Sequence, residues 1–384
     1  MPRPRLGVAV ERALEDRLRV ILNDRVLYRP LTGVGNYVRQ LLNALRQEAG
    51  RHQVRPFMST FLPVLRLPLT NRTGRSWWAR RVLQRGYASA FRRRSGLHQV
   101  YHEPNHIPIL CDIPTVTTVH DLSVLVHPEW HPDDRVRWYE REFDAGRRQT
   151  RRFIVASEFT RREMVAHLGV GVESMDVTYQ APRESMKPQP PAELRRVRTL
   201  FALPEQYFLY VGTLEPRKNV PGLLAAYAAL PRALRERHQL VLTGARGWKI
   251  ETIAQRLALH GLENDIRLLG YVPDEALPGL YAGATALVWP SLYEGFGLPP
   301  LEAMACGCPA IVSNAASLPE VVGDAGVLID PQDVPSWTAA MQRMAEDAAW
   351  REEWRRRGFV QRALFSWRRC ALETLACYRK ALRT

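Results

Sequence analysis

The chain has 384 residues, of which 46% are hydrophobic, so it is long enough for two domains that each have a core. No run reaches the ~20 apolar residues of a membrane-spanning helix, and no N-terminal stretch has the apolar centre of a signal peptide. The five cysteines lack metal-ligand spacing. These observations predict a cytosolic protein with reduced thiols. A formal net charge of +15 indicates a partner of opposite sign, and nucleic acid, anionic lipid and a nucleotide-diphosphate substrate all fit.

The first half of the chain alternates short apolar runs with amphipathic stretches, a pattern that predicts strands and helices in turn. The strands are predicted at residues 18–27, 53–59, 98–105, 115–119, 152–156 and 176–179. Gly33 and Gly35 turn into an amphipathic helix and would let the backbone approach a phosphate, although two glycines before a helix are more often plain turn chemistry. His120 follows a strand at an edge where α/β sheets place ligand-facing groups, although a single histidine is more often structural.

Residues 75–94 place four aromatic side chains among seven arginines, which is a basic amphipathic pattern. One interpretation is a helix that lies on an anionic membrane surface. The other is a solvated helix that packs its apolar side against the first domain. The sequence leaves both interpretations open.

The second half repeats the alternation after a proline-rich stretch at 182–191 that indicates a linker. Strands are predicted at residues 207–212, 238–243, 265–269 and 286–290. Arg217 and Lys218 lie between the first of these strands and a helix that starts at Val220. They are placed to neutralise a diphosphate, the arginine by a planar fork and the lysine by a point charge. Ordinary surface charge is the less favoured interpretation, because cations at a helix start oppose the helix dipole.

The stretch from residue 291 to 305 holds two carboxylates, a glycine-rich turn and a helix start. Glu294 is predicted in the loop at the carboxyl end of a strand, and Glu302 in the first turn of a helix that opens at Leu301. The amides of Phe296, Gly297 and Leu298 could point at an anion such as a diphosphate. The alternative is an ordinary strand-to-helix connection with Glu302 as a helix-start acid.

The two carboxylates of this stretch belong to a longer sequence pattern. Glu294 and Glu302, with seven residues between them, precede Met304-Ala-Cys-Gly-Cys-Pro309 and Ser317-Leu-Pro-Glu-Val-Val-Gly-Asp-Ala-Gly326. This pattern resembles the retaining GT-B glycosyltransferases of family 4, the glycosyl transferases group 1, and among them the mannosyltransferases. The resemblance covers nearly the whole chain and is strongest from residue 207 to 330.

The resemblance implies an α/β protein of the GT-B fold, with two Rossmann-like, doubly wound domains that face a cleft. The expected parts are an acceptor-binding domain (18–185), a linker (186–205), a nucleotide-sugar-binding domain (206–360) and a C-terminal helix (361–384) that crosses back to the first domain. The expected catalytic residues are His120, Glu294, Lys218 and Arg217. The residues expected to bind the donor are Gly33, Gly35, Gly212, Thr213, Val272, Phe296, Gly297, Leu298 and Glu302.

The family also implies a role for each group. His120 faces the donor sugar, Glu294 holds sugar hydroxyls and Glu302 holds the ribose, while backbone groups near Val272 hold the base. Relatives often carry an arginine directly after the glycine that ends the first strand of the second domain. This chain has Thr213 there, so the diphosphate role rests on Arg217 and Lys218, together with the amides at the helix start.

The expected function is retaining transfer of a hexose, mannose first, from a nucleotide-diphosphate sugar such as GDP-mannose to a glycan or lipid-linked acceptor in cell-surface polysaccharide synthesis. The expected place is the cytoplasm, at the inner face of the cell membrane. No metal or other cofactor is expected, because no Asp-x-Asp loop is apparent and two cations supply the charge. The alternatives are a catalytically idle nucleotide-sugar-binding scaffold of the same fold and a basic nucleic-acid-binding protein, although no nucleic-acid motif stands out.

Overall fold

The first half of the chain forms a parallel sheet. A computed structural model describes residues 17–28, 33–50, 52–57, 89–93, 95–245, 247, 261–262 and 264–383. Within them the first sheet has six strands in the order β2-β1-β3-β4-β5-β6. These are β1 (Arg19–Leu22), β2 (Gln53–Pro56), β3 (Val100–Glu103), β4 (Thr115–Val119), β5 (Thr150–Val155) and β6 (Met175–Val177).

The second half forms another parallel sheet, whose six described strands run in the order β12-β11-β10-β7-β8-β9. They are β7 (Gln206–Val211), β8 (His238–Thr243), β9 (Ile266–Gly270), β10 (Ala286–Trp289), β11 (Ala310–Ser313) and β12 (Val327–Ile329). The strand order reverses between β1 and β3 in the first sheet and between β7 and β10 in the second. Open α/β sheets bind ligands beyond the carboxyl ends of the strands at such a switch point.

Helices connect the strands. The α-helices in the described residues are α1 (Gly33–Glu48), α2 (Ser123–Val126), α3 (Asp133–Gln149), α4 (Glu158–Leu168), α5 (Pro191–Leu200), α6 (Val220–Ala228), α7 (Arg232–Arg237), α8 (Leu277–Ala282), α9 (Leu298–Ala305), α10 (Leu318–Val322), α11 (Val334–Glu346), α12 (Ala348–Arg362) and α13 (Trp367–Arg383). Short 3-10 helices lie at Arg25–Tyr28, Pro128–Trp130, Val172–Ser174, Pro216–Lys218 and Gly323–Ala325.

The central strands are buried along most of their length, because helices cover both faces of a parallel sheet. All four residues of β10 and of β11 are buried, as are all five residues of β4. On the first domain, α1 buries Tyr37, Val38, Leu41, Leu42 and Leu45, which recur at helical spacing along one face. These apolar runs explain why periodicity predicts the strands.

Helix α13 packs on the first sheet although it follows the second domain in sequence. Its buried residues Cys370, Leu375 and Tyr378 belong to the same apolar cluster as Val20 of β1 and Val116 of β4. The Tyr378 hydroxyl also lies 2.7 Å from Nδ1 of His102 in β3. The polar contact and the apolar contacts together fix the helix to the first domain.

In the first domain, two differences between the observed and the predicted element boundaries affect residues of interest. The strand predicted over 18–27 ends at Leu22, because the Asn23 side chain accepts a hydrogen bond from the Arg25 amide and starts a 3-10 turn. Helix α1 begins at Gly33, so Gly33 and Gly35 lie in its first turn rather than in a loop before it. Their predicted turn is therefore wrong, and residues 29–32 lie outside the described residues.

The expected linker, residues 186–205, contains helix α5, which begins at Pro191. Proline is well tolerated at the first position of a helix, so a proline-rich stretch can start a helix as well as separate two domains.

Most of the basic segment at 75–94 lies outside the described residues, which include only 89–93 of it. Within that part Phe91 is fully buried, with its ring 5.0 Å from that of Phe57 and 4.5 Å from that of Tyr101. Among the described helices, none has the length and apolar character needed to cross a bilayer. The membrane interpretation of the segment therefore stays a prediction.

Candidate active site

The carboxyl ends of the two sheets meet across a narrow interdomain contact. His120 follows β4 of the first sheet, and Glu294 lies in the loop that follows β10 of the second. A Cβ atom added at Gly295 would lie 1.8 Å from the carbonyl oxygen of His120. Only glycine allows the loop to approach the first domain this closely. Residues predicted from separate halves of the chain are thus brought together.

Lys218 and Arg217 form an ionic cluster with Glu294. The Lys218 Nζ atom lies 2.5 Å from Glu294 Oε1, and Arg217 Nη1 lies 3.4 Å from Glu294 Oε2. The indole of Trp289 donates a hydrogen bond of 3.1 Å to Glu294 Oε1. Lys218 and Glu294 are 7% and 6% exposed. A buried charge of this kind is stable only when it is paired and hydrogen-bonded, and here both conditions are met.

Two further carboxylates surround Arg217. Its Nε donates to Glu215 Oε1 at 2.5 Å, and its Nη1 lies 3.9 Å from Asp121 Oδ2 of the first domain. Burial alone would lower the pKa of Arg217, but Glu294, Asp121 and Glu215 raise it above its ordinary value. Arg217 is therefore a permanent cation that reaches both domains. The Asp121 contact was not predicted, although the residue directly follows His120.

The charge of Glu294 is set by its neighbours. Burial alone would raise its pKa, but the nearby Lys218 and Arg217 hold the pKa of this carboxyl below its ordinary value. Burial and the charge of Arg217 lower the pKa of Lys218. Glu294 therefore stays an acceptor of hydrogen bonds through the neutral pH range, which its expected role of holding sugar hydroxyls requires.

The loop that carries Glu294 is fixed from both sides. In the second domain, Ser317 Oγ donates to the carbonyl oxygens of Glu294 and Phe296, at 2.9 and 2.8 Å. In the first domain, Ser157 Oγ donates to the carbonyl oxygen of Gly295 at 2.7 Å. The Tyr293 hydroxyl lies 3.1 Å from the Glu163 carboxylate and accepts from the backbone amide of Leu122. The position of Glu294 therefore depends on both domains.

A second carboxylate joins the domains beside this loop. Glu320 accepts hydrogen bonds from the backbone amides of Glu158 and Phe159, at 2.7 and 3.1 Å, and from the Tyr179 hydroxyl at 2.8 Å. Those amides open helix α4, so a side chain of the second domain caps a helix of the first. Sequence reasoning missed Glu320 in this role, although it lies in the quoted Ser317 to Gly326 motif.

Helix α9 begins earlier than predicted. It starts at Leu298, with Pro299 and Pro300 in its first turn, and Gly297 precedes it with a φ of 110°. Glu302 therefore lies in the second turn, and the prediction that placed it in the first turn is wrong. The amides of Phe296, Gly297 and Leu298 lie where the helix starts, as predicted.

Glu302 contacts residues that the sequence did not indicate. Its Oε2 accepts from the Tyr281 hydroxyl at 3.3 Å, and its Oε1 lies 3.2 Å from both Nε and Nη2 of Arg183. Burial raises the pKa of Glu302, while Arg183 opposes that shift. Arg183 carried no recognisable signal, because it lies in the proline-rich stretch and meets Glu302 only in the folded chain.

His120 is held as a neutral hydrogen-bonding group. Its Nε2 lies 2.9 Å from the Pro104 carbonyl oxygen, to which only a protonated ring nitrogen can donate. Its Nδ1 lies 3.4 Å from Gln180 Nε2, and the edge of the Tyr37 ring packs against it. Burial lowers the pKa of His120 below its ordinary value. The ring is thus oriented by its surroundings, and Gln180 is a partner that the sequence did not reveal.

The other predicted donor residues lie just after strands or at the start of a helix. Gly212 and Thr213 follow β7 directly, and the carbonyl of Thr213 accepts from the Tyr210 hydroxyl at 3.1 Å. Val272 is buried just after β9. Gly33 and Gly35 open helix α1, whose Arg39 reaches Asp274 of the second domain at 2.8 Å. The helix with the two glycines therefore faces the second domain.

Comparisons with known proteins agree with this architecture. The profile described as Glycosyl transferases group 1 matches residues 193–361, and the profile described as Glycosyltransferase Family 4 matches residues 31–181. A protein of Escherichia coli named O-antigen chain mannosyltransferase B is 36% identical over 385 aligned positions, and the alignment covers 94% of this chain and 100% of that protein. The serotype-specific mannosyltransferase WbdA of E. coli is 34% identical over 200 residues, which cover 52% of this chain and 23% of WbdA.

Solved structures share the fold. Anabaena Alr3699/HepE in complex with UDP and glucose matches with a TM-score of 0.72 at 17% identity, covering 95% of this chain and 100% of that chain. WaaG, a glycosyltransferase involved in lipopolysaccharide biosynthesis, matches with a TM-score of 0.70 at 17% identity, covering 93% and 98%. These matches confirm the predicted GT-B fold of two Rossmann-like domains. With its two matched profiles and its full-length mannosyltransferase relative, the chain belongs to the family 4 glycosyltransferases, the glycosyl transferases group 1.

Proposed function

We propose that this glycosyltransferase is a retaining, metal-independent hexosyltransferase that moves mannose from GDP-mannose to a glycan or lipid-linked acceptor in cell-surface polysaccharide synthesis. The observation that carries the proposal is the ionic cluster of Lys218, Arg217 and Glu294 at the second switch point, opposite His120. Mannose is preferred because the full-length relative is an O-antigen chain mannosyltransferase. The proposed place of action is the inner face of the cell membrane.

The cluster is suited to a leaving diphosphate. A diphosphate that enters beside Lys218 and Arg217 competes with Glu294 for the two cations, and the amides at the start of α9 add dipoles of the same sign. Charge on the diphosphate grows as its bond to the sugar breaks, so fixed cations stabilise the transition state more than the ground state. Glu294, released from part of its ionic contacts, then accepts hydrogen bonds from sugar hydroxyls.

In this proposal the anomeric configuration is retained because the acceptor attacks the sugar on the face from which the diphosphate departs. The bond from C1 to the diphosphate oxygen breaks, the acceptor oxygen bonds to C1 on the same face, and the acceptor proton moves to the departing diphosphate. His120 acts as a neutral partner of the donor sugar and forms no covalent bond. Because two cations already meet the developing charge, the proposed transfer needs no metal ion.

The test is transfer from GDP-mannose to a synthetic lipid-linked mannosyl acceptor, with the anomeric configuration of the product read by NMR. UDP-glucose and GDP-glucose serve as matched donors that distinguish selectivity for the sugar from selectivity for the base. A product of α configuration from α-linked GDP-mannose, formed in the presence of EDTA, supports the proposal. An inverted product contradicts retention, and donor binding without transfer to any acceptor favours an idle nucleotide-sugar-binding scaffold.

A further inference from the structure

Four charged side chains of alternating sign run from the first domain to Glu302. Arg39 Nη2 on helix α1 lies 2.8 Å from Asp274 Oδ2, and Arg183 Nη1 lies 2.7 Å from Asp274 Oδ1. The other edge of the Arg183 guanidinium, Nε and Nη2, lies 3.2 Å from Glu302 Oε1. Arg183 thus binds two carboxylates at once, one on each side of its planar group.

Stability alone explains this arrangement poorly. Arg183 and Glu302 are 6% and 8% exposed, so both charges have lost most of their hydration. Replacing a buried ion pair by apolar residues is often neutral or stabilising, because the cost of desolvation cancels much of the attraction. The Arg183 Nη1 contact with Asp274 is moreover an ion pair without the alignment of a hydrogen bond. A buried pair with this geometry indicates a role in orienting groups.

The two carboxylates that Arg183 joins lie in two different parts of the donor site. Asp274 is two residues beyond Val272, in the connection after β9 that the family resemblance assigns to the nucleotide base. Glu302 on α9 is the residue that the same resemblance assigns to the ribose. These segments come from separate stretches of the second domain, and Arg183 comes from the segment that follows β6 of the first sheet.

We propose that Arg183 is the positioning residue of the donor nucleoside site: it holds the Glu302 carboxylate in place for the ribose hydroxyls and fixes it relative to the connection that carries Val272 and Asp274. The inference rests on the proposed function, because the base and ribose assignments require a nucleotide-sugar donor. Lysine could not replace arginine fully, since a point charge cannot present two separate edges to two carboxylates.

The protonation of Glu302 supplies a signature of this role. Burial raises the pKa of Glu302 and Asp274 raises it further, whereas Arg183 and the Tyr281 hydroxyl lower it. The thiol of Cys306 also faces this group, and burial raises the pKa of that thiol, so it stays neutral. Without Arg183 the pKa of Glu302 rises further, so the carboxyl becomes protonated at a higher pH than in the native protein. A protonated carboxyl has lost acceptor capacity for ribose hydroxyls.

The experiment is calorimetric titration of the full chain with GDP between pH 6 and 8.5. For Arg183→Gln we expect binding weaker than that of the native protein by about tenfold at pH 8.5 and by about a hundredfold at pH 6. For Arg183→Lys we expect a GDP affinity between those of the native protein and Arg183→Gln, with a smaller pH dependence than that of Arg183→Gln. Arg196→Gln is the matched control, because Arg196 pairs with Glu193 on the exposed face of α5, and its GDP affinity should equal that of the native protein.

A double-mutant cycle separates positioning from a general structural effect. In a Glu302→Gln background, Arg183→Gln should cause no further loss, because an amide needs no cation and does not titrate. Additive losses, or a pH-independent loss accompanied by a lower unfolding midpoint in both Arg183 variants, would overturn the proposal. If the native protein binds GDP and the Arg183 variants bind it equally well, the inference fails alone. If the native protein binds neither GDP nor UDP, the proposed function fails with it.

Discussion

The two sides of the cleft differ in the charge of their buried histidine, lysine and glutamate side chains. On the first-domain side, burial lowers the pKa of His102 and of His106 to about 3, and it also lowers that of His120, so these rings are neutral. On the second-domain side, Lys218 and Glu294 face each other as buried ions at 2.5 Å. This difference fits the proposal that the second domain meets the charged diphosphate and the first meets uncharged sugar hydroxyls. Each side can be tested separately.

The largest effect is expected from removing the cation on the charged side. Lys218→Ala should lower kcat by roughly 10²–10³-fold, as the loss of one preorganised group facing a developing anion typically does. Turnover of GDP-mannose with saturating acceptor measures it. Lys187→Ala, at an exposed lysine of the interdomain segment, is the control. A Lys218 variant with native kcat would remove this residue from the site, and the same test applies to Arg217→Ala.

A buried carboxyl of the first domain should make the stability of the protein depend on pH. Burial raises the pKa of Glu103 from its ordinary 4.5 to about 7, against the opposing effect of hydrogen bonds from Tyr101 and Asn23. A carboxyl with a raised pKa contributes stability that is fully present below pH 4.5 and is lost as the pH rises through about 7. Between pH 5 and 8 this contribution falls by up to ~3 kcal/mol.

Glu103→Gln should remove that dependence, because the amide does not titrate. Urea unfolding of both proteins at pH 5 and pH 8 measures the difference. Only the change between the two pH values is diagnostic, since the substitution also alters hydrogen bonds at both. If the free energy of unfolding changes equally between pH 5 and pH 8 in the two proteins, Glu103 is ionised throughout this range.

A smaller loss is expected from His120, the proposed partner of the donor sugar. His120→Ala should lower kcat by roughly 10–100-fold, since it removes a hydrogen-bonding group of the site, and His120→Asn should retain part of the activity. Neither variant should accumulate a glycosyl-enzyme, because the proposed role involves no covalent bond. Mass spectrometry of protein quenched during turnover of a slow fluorinated donor is the measurement. A stable adduct on His120 or on any carboxylate would contradict same-face attack.

The smallest effect should come from the contact that joins the two sides. Glu320→Ala removes the acceptor of two amides at the start of α4, and loss of such a cap lowers the free energy of unfolding by about 1 kcal/mol. Because those amides belong to the other domain, we also expect a modest rise in the donor KM. Chemical unfolding and initial rates measure the two effects. Asp347→Ala, which removes a cap within the second domain at α12, should lower stability without changing KM.

The sequence predicted the parts of the site that lie at strand ends. Parallel strands are buried on both faces, so their apolar runs mark both sheets, and the residues directly after those runs must gather at the sheet edges. This reasoning brings His120, Lys218 and Glu294 to the cleft. It does not predict that Lys218 and Glu294 pair directly, because that depends on side-chain positions.

Other features arise only when distant segments meet. Arg183 contacts Glu302 across 119 residues of sequence, and Arg39 contacts Asp274 across 235. No local pattern encodes such pairs, since each member alone is an ordinary charged residue. The start of α9 was misplaced for a different reason: two prolines indicate the first turn of a helix but do not fix its first residue.

Helix α13 has a consequence for how the protein is made. Because Cys370, Leu375 and Tyr378 belong to the same apolar cluster as β1 and β4, the first domain lacks part of its core until the ribosome has synthesised the entire second domain. The second domain can complete its sheet earlier, although it is translated later than the first. The first domain is thus synthesised first but completes its core last. Until α13 has been synthesised, the first domain exposes an apolar surface that a chaperone can recognise.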